Sequence, residues 1–169
     1  IPARVERLLA DAGIAFAKYD EVEPNPSDAQ VEAGATAFRD HGADVIVALG
    51  GGSPIDAGKA IQIRIAHHEP LEVYDDLVGG DAKITKALPE LVAIPTTAGT
   101  GSEVSRSAVI TVAAVDRKVV LFADRLLPAL AICDPAAEPA LRPLAEAAGT
   151  RLMTLDDAGG GSFADAARG

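Results

Sequence analysis

The sequence predicts a doubly wound α/β fold with a mostly parallel sheet and an added β-hairpin. Three observations carry that prediction. Val45–Leu49 and Leu91–Ile94 are short, continuous apolar runs, the pattern of strands buried on both faces of a parallel sheet. Segments with helical spacing of apolar residues alternate with these runs. Ser107–Ala113 and Lys118–Phe122 read as two strands with Asp116-Arg117 near the turn between them, which makes a hairpin. Helices alternating with buried strands give the layered α/β arrangement.

The elements follow in order. From Pro2 to Ala12, the residues Val5, Leu8, Leu9 and Ala12 share a helical face, and Gly13 closes it. Ile14–Tyr19 alternates like a strand. Glu23–Ser27 carries two prolines that stiffen the backbone around Asn25. Ser27 is placed to cap a helix reaching about Asp40, with Val31, Ala35 and Phe38 on one face and a stop at Gly42. After the first buried strand, Pro54 stands where a first-turn proline is tolerated, and a helix continues to about Ala66. Glu69–Gly80 is acidic and mixed. Ala129–Cys133 forms a last short strand.

Composition narrows the functional classes. At 169 residues the chain is the size of one ordinary domain and can bury a core. A hydrophobic fraction of 49% excludes a disordered acidic tail. A formal charge of −10 argues against nucleic acid, whose phosphates need a surplus of Lys and Arg. It does not bar a nucleotide, which backbone N–H groups can hold locally. The single Cys133 cannot form an internal disulfide, which points to the cytoplasm, and it reads as a small hydrophobe ending a strand. No apolar run approaches the roughly 20 residues that span a bilayer, so no membrane is expected. No signal peptide is visible, and the opening Ile1-Pro2, without a Met, reads as part of a longer protein.

VIVALGGGSPIDAGKAI, from Val45 to Ile61, has the order strand, glycine loop, helix that presents backbone N–H groups and a helix dipole to an anion. It is not a Walker loop. Five residues, not four, separate Gly52 from Gly58, and Ala60 follows Lys59 where Ser or Thr would hold Mg²⁺. Nor does G-x-G-x-x-G fit, because Ile55 stands where the third Gly is required. A second polar, glycine-rich loop, PTTAGTGSE from Pro95 to Glu103, follows its own buried strand. In open α/β sheets ligands bind at the carboxyl ends of strands, and two such loops suit a diphosphate better than either alone.

GGGSPIDAGKAI followed some 40 residues later by IPTTAGTGSEVSRSAVIT resembles the iron-containing (group III) alcohol dehydrogenases. The spacing to the Pro-Asn-Pro loop and the closing AICDP are also similar. The resemblance implies a Rossmann-like, dehydroquinate-synthase-like nucleotide domain, here partial over residues 1–135, and NAD or NADP as cofactor. It implies that Gly51, Gly52 and Ser53 bind the pyrophosphate and that Thr96, Thr97 and Thr100 surround the cofactor. It places Asn25 on the adenosine side, Ser107 near the nicotinamide half and Lys118 at a ribose. Asp56 matches a motif aspartate at the cleft floor, although a first-turn acid favoured by the helix dipole reads equally well there. The implied reaction is reversible hydride transfer between a small alcohol and its aldehyde or ketone.

The family's divalent metal, iron or zinc, is held by one Asp and three His in a C-terminal helical domain that this chain is expected to lack. His41, His67 and His68 read as solvated surface residues, since adjacent helical side chains point about 100° apart. No metal site and no catalytic residue are therefore expected here. The family's first strand, whose acid helps select NAD over NADP, is also expected to be missing. The tail from 136 to 169 does not match the metal domain: it reads as an alanine-rich helical piece and a flexible, low-complexity end. Within it Gly159–Ala166 repeats the frame G-G-G-S-x-x-D-A of Gly50–Ala57.

The chain is thus expected to bind nucleotide weakly or not at all, and not to turn over. Two other readings stand beside this one. The first is a non-catalytic nucleotide-binding or assembly module, pairing with a second copy through the Ser107–Phe122 hairpin to form a homo-oligomer. The second is a relative of the glycerol or polyol-phosphate dehydrogenases, which typically carry Lys or another residue at the Ser53 position.

Overall fold

The computed structural model describes residues 2–133 and the backbone of 151–154. Helix α1 (Pro2–Asp11) ends at Gly13, whose φ of +70° suits a residue without a Cβ. The alternating segment Ile14–Tyr19 forms no strand. Alternation says which residues share a face, but a ladder needs a partner, and no described strand pairs with this segment. Ile14 and Phe16 stay 38% and 40% exposed, and the Tyr19 hydroxyl donates to the Gln30 carbonyl at 2.8 Å.

Helix α2 (Asp28–His41) starts on a complete capping box. Ser27 Oγ accepts from Gln30 N, and Gln30 Oε1 accepts from Ser27 N. It stops at Gly42, in the left-handed conformation.

The strands β1 (Val45–Gly50), β2 (Glu90–Pro95), β5 (Leu130–Cys133) and β6 (Arg151–Thr154) pair in parallel, in the order β1-β2-β5-β6. Between β2 and β5 the chain makes an antiparallel hairpin of β3 (Ser107–Val112) and β4 (Arg117–Phe122), with Asp116 at φ +48° before β4. Two expectations change. β1 is an edge strand of the described sheet, with Val45 45% exposed and only Ala48 buried, so its apolar run marks a parallel ladder and not burial on both faces. β6 is a strand that the sequence reading did not include, and it extends the sheet beyond β5. The expected alanine-rich helical piece and the second G-G-G-S frame lie outside the described residues.

Helix α3 (Gly52–Ala66) is the centre of the molecule. Ile55, Ala57, Gly58, Lys59, Ala60, Ile61, Gln62 and Ile63 are all buried on it, the mark of a helix covered on more than one side. Ile55 packs with Ala48, Leu91 and Ala93 of β1 and β2. Gly58 permits that approach, because a Cβ there would stand 3.0 Å from Leu91 Cδ1 and 3.2 Å from Ala48 Cβ. Further along, Ala60, Ile61 and Ile63 join Val31 and Ala35 of α2 and Ile110, Val112, Val119 and Leu121 of the hairpin in the larger core. Each fully buried Ile or Leu there contributes about 1.5–3 kcal/mol.

Short 3-10 turns between Leu71 and Lys83 pack Leu71, Tyr74 and Ile84 into the same core. His67 belongs to this region and is not a surface residue: it is 5% exposed. Its Nε2 accepts from the Thr85 and Lys86 backbone N–H groups at 3.2 and 3.3 Å, and its ring meets Tyr74 edge-on at 5.4 Å. The returning chain over residues 84–86 covers it, which adjacency to His68 in sequence did not reveal. His41 and His68 are exposed.

Thr111 N donates to the Pro26 carbonyl at 2.7 Å, and isolated bridges join Ser27 to Thr111 and Asp75 to Leu121, so both flanks of the hairpin carry partners within the chain. No helix among the described residues is long and apolar enough to cross a membrane. Cys133 is buried at the end of β5.

Candidate functional site

Because β1 and β2 are adjacent and parallel, their carboxyl ends emerge together. Gly50 is level with Pro95, and the Thr96 N–H donates to the Gly50 carbonyl at 2.8 Å. The two glycine-rich loops therefore start side by side. Gly50 adopts φ +147°, which swings the chain out of β1 and into α3. A Cβ built on Gly51 would lie 3.4 Å from Thr97 Oγ1. One on Gly52 would lie 3.4 Å from Ser102 Oγ and 3.5 Å from Thr100 Cβ. The two loops thus come within van der Waals reach of each other at these glycines.

The first loop leads into the start of α3. Its N-cap, Gly51, brings no side-chain cap, so first-turn N–H groups are left for a ligand or water. The helix dipole adds positive potential at that end. Thr96, Thr97 and Thr100 are exposed along the second loop. Two loops therefore bring uncapped helix amides and hydroxyls to one helix N-terminus, an arrangement that attracts anions.

Asn25 and Lys118 close one side. Asn25 sits at φ +59°, its N–H reaches Ser53 Oγ at 3.4 Å, and its Oδ1 accepts from Lys118 Nζ at 2.6 Å. Residues 93 apart in sequence thus meet beside the glycine loop. Ser107 is joined to Ser105 through their hydroxyls at 2.7 Å. Asp56 Oδ2 accepts from the Val109 N–H at 3.0 Å, which ties α3 to the hairpin. Burial pushes the Asp56 carboxyl up, against the bond from Val109. The structure sets Gly50 beside Thr96, Gly51 and Gly52 beside Thr97, Thr100 and Ser102, and Asn25 beside Ser53 and Lys118, and it places Asp56 and Ser107 in the links between α3 and the hairpin.

Sequence reasoning missed Lys59 and Glu103. Lys59 is fully buried beneath the loops, and Glu103 is 1% exposed with Oε1 unpartnered among the described residues. A signal was present: Lys59 interrupts the apolar positions of a central helix, and Glu103 directly follows the second loop. Among the described residues no three His, Cys, Asp or Glu side chains gather to hold a metal ion. These residues do not fit an iron site.

Comparison with known proteins places the chain in a family. The family profile "Iron-containing alcohol dehydrogenase" matches residues 1–135. A 4-hydroxybutyrate dehydrogenase of Cupriavidus necator is 42% identical over 137 residues, covering 80% of this chain and 36% of that protein. A 1,3-propanediol dehydrogenase of Klebsiella pneumoniae is 45% identical over 127 residues, covering 75% and 32%. Among solved structures, a 1,3-propanediol oxidoreductase superposes with a TM-score of 0.74 at 42% identity, covering 80% of this chain and 34% of that one. The sulfoacetaldehyde reductase of Bifidobacterium kashiwanohense, solved with NAD+, gives 0.66 at 30% identity, covering 80% and 36%. The chain spans about a third of the length of these relatives. On a profile match over most of its length, the chain belongs to the iron-containing alcohol dehydrogenase family.

Proposed function

We propose that the crevice between the two loops binds the pyrophosphate of a nicotinamide dinucleotide, NAD or NADP, in the service of reversible hydride transfer between a small alcohol and its aldehyde or ketone. The observation that carries this reading is the meeting of the glycine loop with the threonine loop at adjacent strand ends, 3.4 Å from a Gly51 Cβ position to Thr97 Oγ1. The names of the relatives support it: a 1,3-propanediol dehydrogenase, a lactaldehyde reductase and an NAD-dependent methanol dehydrogenase.

In this reading the amides at the start of α3 and Ser53 Oγ hold the diphosphate, with each charge-assisted hydrogen bond contributing about 1.5–3 kcal/mol. Thr96, Thr97 and Thr100 supply hydroxyls from the facing wall. Lys118, oriented by Asn25 Oδ1, offers a cation at the side of the crevice. Ser107 and Asp56 keep the hairpin seated on α3, so the crevice keeps its width. When bound, the nicotinamide supplies the hydride acceptor or donor. The described residues bind and orient it, and residues 1–135 act as the nucleotide-binding part of the catalytic unit.

Titration of the 169-residue chain with NADH and NADPH, read by nicotinamide fluorescence, tests the proposal. Gly52→Val is the control, since a Cβ at Gly52 makes only ordinary contacts while the two added methyls enter the crevice. Of the two outcomes the sequence leaves open, weak binding and none, the meeting of the loops favours weak binding: a saturable shift at millimolar cofactor that weakens about tenfold or more in Gly52→Val, a loss of about 1.4 kcal/mol. No shift at millimolar cofactor, or equal binding by the variant, would overturn it.

A further inference from the structure

Lys59 lies on α3, the helix that begins at the first loop, and is 0% exposed. Its ammonium donates to three backbone carbonyl oxygens, Ser102 at 2.7 Å, Ser105 at 2.6 Å and Ser107 at 2.9 Å. An ammonium has three N–H donors, so all of them are spent on one stretch of chain, the path from the second loop into β3. A buried charge persists only when paired. The charged groups that act on it are Asp56, on its own helix, and Glu103, on the loop. Glu103 Oε2 also accepts the Thr100 hydroxyl at 3.3 Å, and the Ser102 hydroxyl faces Gly52. Through one buried cation, the helix under the first loop grips the second.

Resting on the cofactor reading above, we propose that Lys59 is a positioning residue of the site, one that turns the Ser102, Ser105 and Ser107 carbonyls inward and holds Thr100 and Ser102 beside Gly52, so that both loops face one diphosphate. Carbonyl oxygens facing a dianion repel it. On the ammonium they are neutralised, and the wall presents hydroxyls instead. Glu103 supplies the counter-charge and fixes the rotamer of Thr100. Lys59 touches neither cofactor nor substrate in this scheme; it acts through the loop.

The protonation state of Lys59 gives a readout that a purely structural lysine would not move. Burial depresses its ammonium to about 8. Above that pH the group becomes an amine with two N–H donors for three carbonyls, and the grip loosens.

The experiment measures dissociation constants of NADH and of inorganic pyrophosphate for the wild-type chain and Lys59→Met, from about pH 7 to about pH 9.5. The expected result is wild-type affinity that falls about fivefold or more across this range, and Lys59→Met binding about tenfold weaker at neutral pH with a flat profile. Lys59→Arg, which keeps charge and donors, should recover part of the loss. If Lys59→Met does not fold, Lys59→Gln, which keeps two N–H donors without the charge, takes its place: weaker binding supports the role and binding equal to wild type overturns it. Wild type that binds while Lys59→Met binds equally well overturns the role of Lys59 only. Wild type that binds no NADH at millimolar concentration overturns the cofactor reading and this inference with it.

Discussion

Replacing Gly50 by Ala probes the corner on which the crevice depends. Gly50 joins β1 to α3 at φ +147°, a backbone conformation that residues with a Cβ rarely adopt. Holding a non-glycine residue in such a region costs about 1–3 kcal/mol. The new Cβ would also stand 2.6 Å from Pro54 Cγ and 3.1 Å from Pro54 Cβ. Relieving that overlap in a packed turn costs about 1–3 kcal/mol more. The sum, about 2–6 kcal/mol, is a large share of the 5–15 kcal/mol that holds an ordinary domain together. Urea unfolding followed by far-UV circular dichroism measures it as a fall in midpoint at unchanged slope. The two contributions separate in a double-mutant cycle. Pro54→Ala removes Cγ, so Gly50→Ala/Pro54→Ala should regain most of the contact part and none of the backbone part. A Gly50→Ala chain within about 0.5 kcal/mol of wild type would mean that the corner tolerates a Cβ, since that is the range of an ordinary surface change. A double variant no more stable than the single one would refute the contact with Pro54.

Ser27→Ala removes the capping-box acceptor of α2 and should lower stability by about 1 kcal/mol in the same unfolding assay, whereas Ser27→Asp should lose much less. His67 is kept neutral: burial pushes its imidazole below the free value of 6.5, and the Lys86 charge adds to this. A folded value below the unfolded one means that the unfolded chain takes up a proton first. Stability from this group is therefore full above about pH 6.5 and is lost as pH falls toward the folded value, at up to about 1.4 kcal/mol per pH unit. His67→Gln should flatten the stability profile over that window relative to wild type, and identical slopes would exclude the buried neutral imidazole.

Much of the fold could be read from local chemistry. The cap at Ser27, the stop at Gly42, the apolar runs of β1 and β2 and the hairpin around Asp116 are signals held within a few residues, and the structure shows each of those elements. What failed depended on partners elsewhere in the chain. Ile14–Tyr19 alternates, yet alternation cannot supply the neighbouring strand. β1 is as apolar as β2, but only the sheet order makes one an edge and the other interior. His67 is buried by residues 84–86, almost twenty positions away. The crevice divides in the same way. The two loops are legible because each follows its own strand, and parallel pairing brings the ends together. Lys59 is legible only in part: a lysine among apolar neighbours signals a buried charge, but its acceptors are 43 to 48 residues distant.

The most direct measurement is a titration of the ¹⁵N-labelled chain with NADH, following the backbone amide resonances. The largest saturable shifts should fall on Gly51, Gly52 and Ser53 and on Thr96, Thr97 and Thr100, and inorganic pyrophosphate alone should move the first three. Saturable shifts confined to another surface, such as the cavity of about 340 Å³ lined by His67, Tyr74, Lys83 and Lys86, would contradict the cofactor reading.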